Sequence, residues 1–304
     1  MTGLNRREFL CRAAGALATT RLAQDFGTVA APTWPHSETI RTLGDTGLQC
    51  SYLGIGMGIR GSGPGITELN MKLTGEQYVA LLEYAYAQGI TYFDLADRYG
   101  SHHFMRLALR RSVPRDRVLL LSKVWSREAA AVAQDLERMR TELDTDCIDV
   151  VLIHCLREGE EDWPETLKPA MDVLSDAKAR GHIKAHGVSC HILPALERAA
   201  EEPWCDVVLA RINPFGVNMD GPVETIVPLL KKMHAAGTGV LGMKLLGEGH
   251  AEVVSRMEES LRFAAGLGVL DALTIGFMNS GELDEVKALI DAVAAEAPDH
   301  PAPA

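Results

Sequence analysis

Eight short apolar segments alternate with amphipathic segments along the chain from about residue 41 onward. The apolar segments, rich in β-branched residues, cover residues 51–55, 90–95, 118–123, 148–154, 185–189, 207–212, 239–244 and 272–277. Short apolar runs separated by stretches of helical periodicity are typical of parallel strands linked by helices. Eight such units in about 260 residues match the length of a closed barrel. The pattern therefore predicts an α/β fold, a (β/α)8 TIM barrel.

The ends of several helices can also be predicted. Thr74 is followed three residues later by Gln77, which is the spacing of a capping box, and Gly89 stands where that helix should end. Gly181 and Gly237 end two further amphipathic segments in the same way. A doubly wound open sheet is the alternative fold. It is disfavoured because no GxGxxG turn joins the first strand directly to a helix.

Composition narrows the class of protein. The 304 residues are 47% hydrophobic and carry a formal net charge of −11, spread without a basic stripe, so nucleic acid and anionic lipid are not expected partners. The six cysteines show no CxxC spacing, and neither a disulfide framework nor a metal site is predicted. No linker divides the apolar pattern, so one large domain is expected.

The N-terminal segment differs from the rest. Arg6 and Arg7 precede an alanine-rich, mildly apolar stretch, the layout of a twin-arginine export signal, and this stretch is too short to span a bilayer. We predict a signal or flexible segment over residues 1–36 and a barrel domain over residues 37–304. Such a signal implies the export machinery as a partner and a periplasmic location. The alternative is a basic tail on a cytoplasmic protein.

Polar residues at three consecutive predicted strand ends suggest chemistry. Asp94 ends the second strand, Lys123 the third and His154 the fourth, while Tyr99 lies in the loop after the second. In a parallel barrel these ends meet at one mouth. A carbonyl that accepts a hydride also needs a proton, which a tyrosine can supply if its pKa is lowered from about 10 by a nearby ammonium. Taken singly, each of these residues could equally be an ordinary strand-end or loop residue.

At these positions the sequence resembles the aldo-keto reductase family, in a divergent branch of it. The resemblance rests on residues 41–48, 93–100, 121–125, 149–154, 187–191 and 243–244, and it covers nearly everything after the predicted signal. It implies that Tyr99 is the acid, that Lys123 and Asp94 tune it, and that His154 orients the carbonyl.

The resemblance also implies a nicotinamide cofactor, NADP(H) before NAD(H). The implied cofactor-binding residues are Met57, Gly58, Ser189, Cys190, Met243, Lys244, Asn279 and Ser280. Cys190 stands where the family often has asparagine, and residues 209–211 lack the glutamine that the family often has there. In the family, a lysine or arginine shortly after the eighth strand usually binds the ribose 2′-phosphate of NADP(H). No cation stands directly after that strand here, although Lys287 stands a little further on. The order NADP(H) before NAD(H) therefore follows the family's preference.

Three functions are compatible with these residues. The first is an NAD(P)H-dependent oxidoreductase that reduces a small aldehyde or ketone, or oxidises an alcohol or sugar hydroxyl. The second is a nucleotide-binding barrel with little turnover that senses redox state or binds a partner. The third is a barrel lyase or hydrolase that works without nicotinamide. The complete set of four polar residues favours the oxidoreductase.

Overall fold

Eight parallel strands close into a barrel in the computed structural model, which describes residues 34–59 and 67–296. The barrel strands are β3 (Leu53–Gly56), β4 (Tyr92–Asp94), β5 (Leu119–Val124), β6 (Ile148–Leu156), β7 (Ile183–Cys190), β8 (Val207–Arg211), β9 (Gly239–Met243) and β10 (Ala272–Ile275). Each strand pairs with its neighbour in the chain, and β10 returns to β3. The predicted (β/α)8 barrel is therefore confirmed. The predicted export signal, up to residue 33, lies outside the described residues.

A short antiparallel hairpin, which the sequence pattern did not predict, precedes the barrel. Its strands are β1 (Ile40–Thr42) and β2 (Gln49–Ser51), so Ser51 ends the hairpin and does not open the first barrel strand. Leu43 between the two strands belongs to the apolar cluster inside the barrel, and the Gly44 amide donates to the Asp271 carboxylate over 3.1 Å. Strands of three residues are too short to show a period of two, which explains why the pattern missed them.

Helices cover the outside of the barrel. They are α1 (Glu68–Lys72), α2 (Gly75–Ala87), α3 (His102–Arg111), α4 (Ala129–Leu143), α5 (Trp163–Thr166), α6 (Lys168–Ala179), α7 (Leu193–Ala199), α8 (Val223–Ala235), α9 (Ala251–Ser255), α10 (Met257–Leu267) and α11 (Ser280–Ala295). The capping box of Thr74 and Gln77 opens α2 as predicted, and Gly89 follows that helix with φ +84°. Among the described residues, no helix is long and apolar enough to cross a membrane.

Alternation along the strands divides the core in two. Side chains of one parity fill the barrel, among them Tyr92, Leu121 and Leu152, while those of the other parity pack against the helices. The Tyr92 ring occupies the space over Gly54, where a Cβ would lie 2.0 Å from the ring. Because successive strand residues face opposite sides, the residue two places after each of the three interior residues also faces the interior.

Candidate active site

Three predicted site residues reach the mouth of the barrel because of this alternation. Asp94, Lys123 and His154 each come two residues after one of the interior residues Tyr92, Leu121 and Leu152. The register of β4, β5 and β6 keeps their strand ends adjacent. All three side chains are buried. The three residues selected from the sequence as strand-end candidates are therefore brought together.

Tyr99 joins this cluster from a single turn of 3-10 helix, Asp97–Tyr99, which follows β4. The Tyr99 carbonyl accepts a 2.8 Å hydrogen bond from the Asn70 side chain, which ties the turn to α1. The Tyr99 ring packs directly against Gly58, where a Cβ would lie 2.4 Å from the ring. A glycine at this position thus lets the ring sit over the end of β3.

The Tyr99 hydroxyl is the point at which the cluster converges. Its oxygen lies 3.4 Å from His154 Nε2 and 3.5 Å from Lys123 Nζ. The Lys123 ammonium also forms an ion pair with Asp94 and donates to the Leu95 carbonyl over 2.9 Å. Both contacts to the hydroxyl are long, as contacts in a site without substrate often are.

Burial dominates the electrostatics of the cluster. It raises the pKa of the Tyr99 hydroxyl well above the usual value of 10.0, and the nearby Asp94 carboxylate raises it further. The lowered pKa predicted from a nearby ammonium is therefore wrong for Tyr99, whose phenol is held in its neutral, protonated form. Burial also raises the pKa of Asp94 and lowers that of Lys123, and the ion pair between them opposes both shifts. Burial, followed by the charge of Lys123, lowers the pKa of His154 well below 6.5, so this imidazole is neutral.

The second nitrogen of His154 faces a residue that the sequence analysis missed. His154 Nδ1 lies 4.0 Å from Asp97 Oδ1, and neither atom has a hydrogen-bond partner in the described part of the chain. The other Asp97 oxygen accepts from the Trp125 amide over 2.8 Å. A small movement would close the gap between carboxylate and imidazole. The sequence signal for Asp97 was its position three residues after Asp94, at the start of the turn that carries Tyr99.

The strand that carries His154 ends irregularly. Between Ile153 and Leu156 the register with β7 shifts, and Cys155 has φ +59°, a left-handed conformation that is costly for a residue with a side chain. The Cys155 amide donates to the Ser189 hydroxyl over 2.7 Å, which holds this bulge in place. Ser189, four residues after the interior residue Ala185, faces the barrel interior beside His154, but it is buried and does not line the cavity described below.

A cavity of roughly 390 Å³ opens beside the cluster, over the ends of β3, β4, β9 and β10. Three of the predicted cofactor-binding residues, Gly58, Met243 and Lys244, line this cavity, as do Asp94 and Tyr99. Its volume lies within the usual range of small-molecule and cofactor sites, about 300 to 1,000 Å³. Lys244 has φ +62°, so strained backbone occurs at this edge of the mouth as well.

The remaining predicted cofactor-binding residues do not line the cavity. Met57 and Cys190 are fully buried in the apolar core between barrel and helices. Cys190 follows the inward-facing Ser189, so alternation turns it outward. Asn279 caps α11 by accepting from the Glu282 amide over 3.0 Å, and Ser280 is the first residue of that helix.

The cavity also has residues that the sequence analysis did not assign to it firmly. Thr274 lines it from β10, and Glu282 and Glu285 line it from α11. The Lys287 ammonium instead binds the Gln88 carbonyl over 3.1 Å, away from the cavity. Only the position of α11 against the barrel decides which of its faces meets the cavity.

A nicotinamide dinucleotide fits the residues that are present. Tyr99 and Asp94 line this cavity, so the nicotinamide would lie beside them, and the Lys244 ammonium, paired with Glu248, could approach a phosphate. No group of His, Cys, Asp and Glu side chains suited to a metal ion occurs among residues 34–59 and 67–296.

Comparison with known proteins agrees with the fold. The model of the aldo/keto reductase family matches residues 54–263, and the chain belongs to that family, a class of NAD(P)-dependent oxidoreductases. L-galactose dehydrogenase of Arabidopsis thaliana is 26% identical in an alignment 224 residues long, which covers 69% of this chain and 66% of the plant protein. The chain thus spans slightly less than two thirds of that relative.

Two solved structures share the barrel. An aldo-keto reductase from Pseudomonas aeruginosa superposes with a TM-score of 0.69 at 24% identity, over 85% of this chain and 97% of its own. An aldo/keto reductase from Klebsiella pneumoniae, solved in complex with NADP and acetate, gives a TM-score of 0.61 at 19% identity, over 83% of this chain and 89% of its own. At these identities the likeness establishes the fold.

Proposed function

We propose that the protein is an oxidoreductase that reduces an aldehyde or ketone with NAD(P)H, or oxidises the corresponding alcohol, with Tyr99 as proton donor. The observation that carries the proposal is the convergence of Lys123 and His154 on the Tyr99 hydroxyl at the edge of the cavity. At this one point Tyr99 can provide a proton, Lys123 can provide a positive charge that stabilises the phenolate, and His154 can provide a neutral hydrogen-bonding group.

Each side chain has a distinct task in this proposal. A bound nicotinamide supplies or accepts the hydride. The Tyr99 phenol, protonated because of its raised pKa, donates its proton to the carbonyl oxygen. The Lys123 ammonium stabilises the phenolate left behind, and Asp94 keeps that ammonium charged in a buried place. The neutral His154 ring hydrogen-bonds the same carbonyl oxygen and orients it.

Whether the enzyme reduces a carbonyl or oxidises an alcohol depends on its substrate. Both directions use the same four side chains. L-galactose dehydrogenase, the plant relative, carries oxidation of a sugar in its name. We therefore include sugar hydroxyls with aldehydes and ketones as substrates. In the oxidising direction the Tyr99 oxygen takes the hydroxyl proton that it gives up during reduction.

The choice of cofactor is proposed from the charges that line the cavity. The Klebsiella neighbour was solved with NADP, in line with the preference stated from the sequence. In this chain Glu282 and Glu285 line the cavity, and Lys244, which is paired with Glu248, is the sole cation on the described part of its wall. Carboxylates repel a ribose 2′-phosphate. We therefore propose that NADP(H) is the preferred cofactor, that NAD(H) can also bind, and that the two glutamates narrow this preference.

Rapid mixing of the NADH or NADPH complex with small aldehydes tests the proposed function. Wild type should oxidise the cofactor in a single turnover. Tyr99→Phe should lose at least about 100-fold in rate while it keeps cofactor affinity. Tyr84→Phe is the matched control, because its hydroxyl binds Asp284 at the outer surface, and it should react as wild type does.

The same experiment separates the alternatives. Cofactor binding without oxidation across aldehydes, ketones and sugars would favour the redox-sensing or partner-binding barrel. Failure to bind either dinucleotide would remove the oxidoreductase proposal and favour a lyase or hydrolase. Turnover that survives in Tyr99→Phe would leave the reductase but remove Tyr99 as its proton donor.

Export to the periplasm is proposed from the sequence alone, since Arg6 and Arg7 lie outside the described residues. Cell fractionation of the full chain against a variant with Arg6→Lys and Arg7→Lys tests it. We expect wild type in the periplasmic fraction and the variant in the cytoplasm. Equal distribution of both would favour the cytoplasmic alternative.

A further inference from the structure

The cavity occupies only one half of the barrel mouth. The other half, over the ends of β5 to β8, is bordered by Trp125, which directly follows β5. The Trp125 ring meets the His154 ring edge-on, with 5.5 Å between centroids. With a cofactor in the cavity, a substrate would reach Tyr99 and His154 from the Trp125 side.

Three guanidinium groups lie against the Trp125 ring. The ring centroid is 4.1 Å from Cζ of Arg98, 4.8 Å from that of Arg157 and 5.8 Å from that of Arg127. Arg127 is neutralised by Glu160, and it also donates to the His154 carbonyl over 2.9 Å. The guanidinium groups of Arg98 and Arg157, in contrast, form no ion pair or hydrogen bond with any residue that the structure describes.

These two unpaired cations stand out against their surroundings. The chain as a whole has a net charge of −11, and Arg211, another arginine at the mouth, is paired with the buried Asp220. Stacking on an aromatic ring holds a guanidinium plane while leaving its N–H edges free to bind an oxyanion. Arg98 is also one of the cations that, after burial and Lys123, help to lower the pKa of His154, so its charge acts on the site.

We propose that the substrate carries an oxyanionic group, a carboxylate or a phosphate, which Arg98 and Arg157 bind beside Trp125. This inference rests on the proposed function. The Trp125 ring contacts the His154 ring as well as the two guanidinium groups. The carbonyl and the oxyanion would therefore be separated by about the width of a small ring or a short carbon chain.

Matched benzaldehydes test this proposal. Selectivity for the anion is measured as a ratio of two kcat/KM values, that for 4-carboxybenzaldehyde over that for its neutral methyl ester, methyl 4-formylbenzoate. The cation 4-(trimethylammonio)benzaldehyde tests the opposite charge. A further arm with 4-formylphenyl phosphate distinguishes the two oxyanions. We expect the carboxylate or the phosphate to be preferred about tenfold over the ester and the cation to be the poorest substrate.

Charge-removing variants locate the effect. Arg98→Gln and Arg157→Gln should each lower the selectivity ratio about threefold, as expected for partly exposed ion pairs, and the double variant should bring it close to one. Arg117→Gln is the matched control, because Arg117 precedes β5 at the opposite end of the barrel and is largely exposed. The wild-type ratio should also fall as sodium chloride rises, since salt screens exposed charges.

The outcomes separate this proposal from the proposed function. A wild-type ratio near one, or a double variant that keeps the wild-type ratio, would overturn the anion site while leaving the reductase intact. If no benzaldehyde is reduced, calorimetric titration with terephthalate and the neutral terephthalamide decides the inference. Binding of terephthalate that disappears in the double variant would support it, and equal or absent binding of the two compounds would overturn it.

Discussion

Adding one methyl group at Gly58 should move the proposed proton donor. A Cβ at this position would lie 2.4 Å from Tyr99 Cζ and 2.7 Å from each Cε, whereas ordinary contact begins at 3.4 Å. The Tyr99 ring would therefore have to retreat by about 1 Å, a displacement that overpacking commonly produces. Gly58 is not among the residues with positive φ, so alanine brings no backbone strain of that kind.

The size of the effect follows from the contacts of the Tyr99 hydroxyl. The distances of 3.4 Å to His154 Nε2 and 3.5 Å to Lys123 Nζ already stand at the limit of hydrogen bonding. A further displacement of about 1 Å would break at least one of them. Misplacement of this size costs about 100-fold in rate, or roughly 2.7 kcal/mol in activation free energy. We expect overpacking to lower the free energy of unfolding by about 1 to 3 kcal/mol as well.

Single-turnover oxidation of saturating NADH or NADPH separates the chemical step from cofactor binding, and thermal unfolding monitors the folded fraction. Gly266→Ala is the matched control: Gly266 lies inside α10, where a Cβ would meet Trp34 at an ordinary 3.6 Å. It should keep the wild-type rate and gain up to about 1 kcal/mol in stability from helix propensity. A Gly58→Ala protein that is folded and reacts at the wild-type rate would refute the requirement for this position of the hydroxyl.

Three further predictions concern the groups around the cluster. Asp97→Asn should lower the single-turnover rate about tenfold without changing cofactor affinity, because the carboxylate that faces His154 Nδ1 is lost; an unchanged rate would remove Asp97 from the site. Burial lowers the pKa of His191 to about 3 from 6.5, so below pH 6.5 the unfolded chain binds a proton there that the folded chain does not. The free energy of unfolding should therefore fall by up to about 2 kcal/mol as pH drops from 7 to 5, and His191→Asn should reduce this decline in thermal melts. Glu285→Lys should strengthen NADPH binding relative to NADH about tenfold in fluorescence titrations, because a carboxylate in the cavity becomes an ammonium; an unchanged ratio would show that the 2′-phosphate lies elsewhere.

Much of the candidate site could be predicted because strand alternation links sequence position to direction. Once β4, β5 and β6 are recognised, the two-residue period directs Asp94, Lys123 and His154 into the mouth. The same rule would have turned Cys190 outward, since Ser189 faces the barrel interior, so that signal was present in the chain. Local capping signals were equally readable, as the capping box of α2 demonstrates.

The direction in which the pKa of Tyr99 is shifted could not be predicted from the residue types alone. The sequence places an ammonium near a phenol, which by itself lowers the pKa, but burial of the hydroxyl and the nearby Asp94 carboxylate raise it. Desolvation depends on every atom packed around a group, and those atoms come from separate elements of the barrel.

The sequence by itself determined the alternation of strands and helices, the order of the barrel and the four residues that meet at its mouth, because local periodicity and chain order are sufficient for these features. Only the tertiary structure decided which side chains from distant segments share a space. It brings Glu282 and Glu285 into the cavity and sets Arg98 and Arg157 against Trp125. These contacts depend on how helices and loops pack around the barrel, and no local pattern encodes that packing.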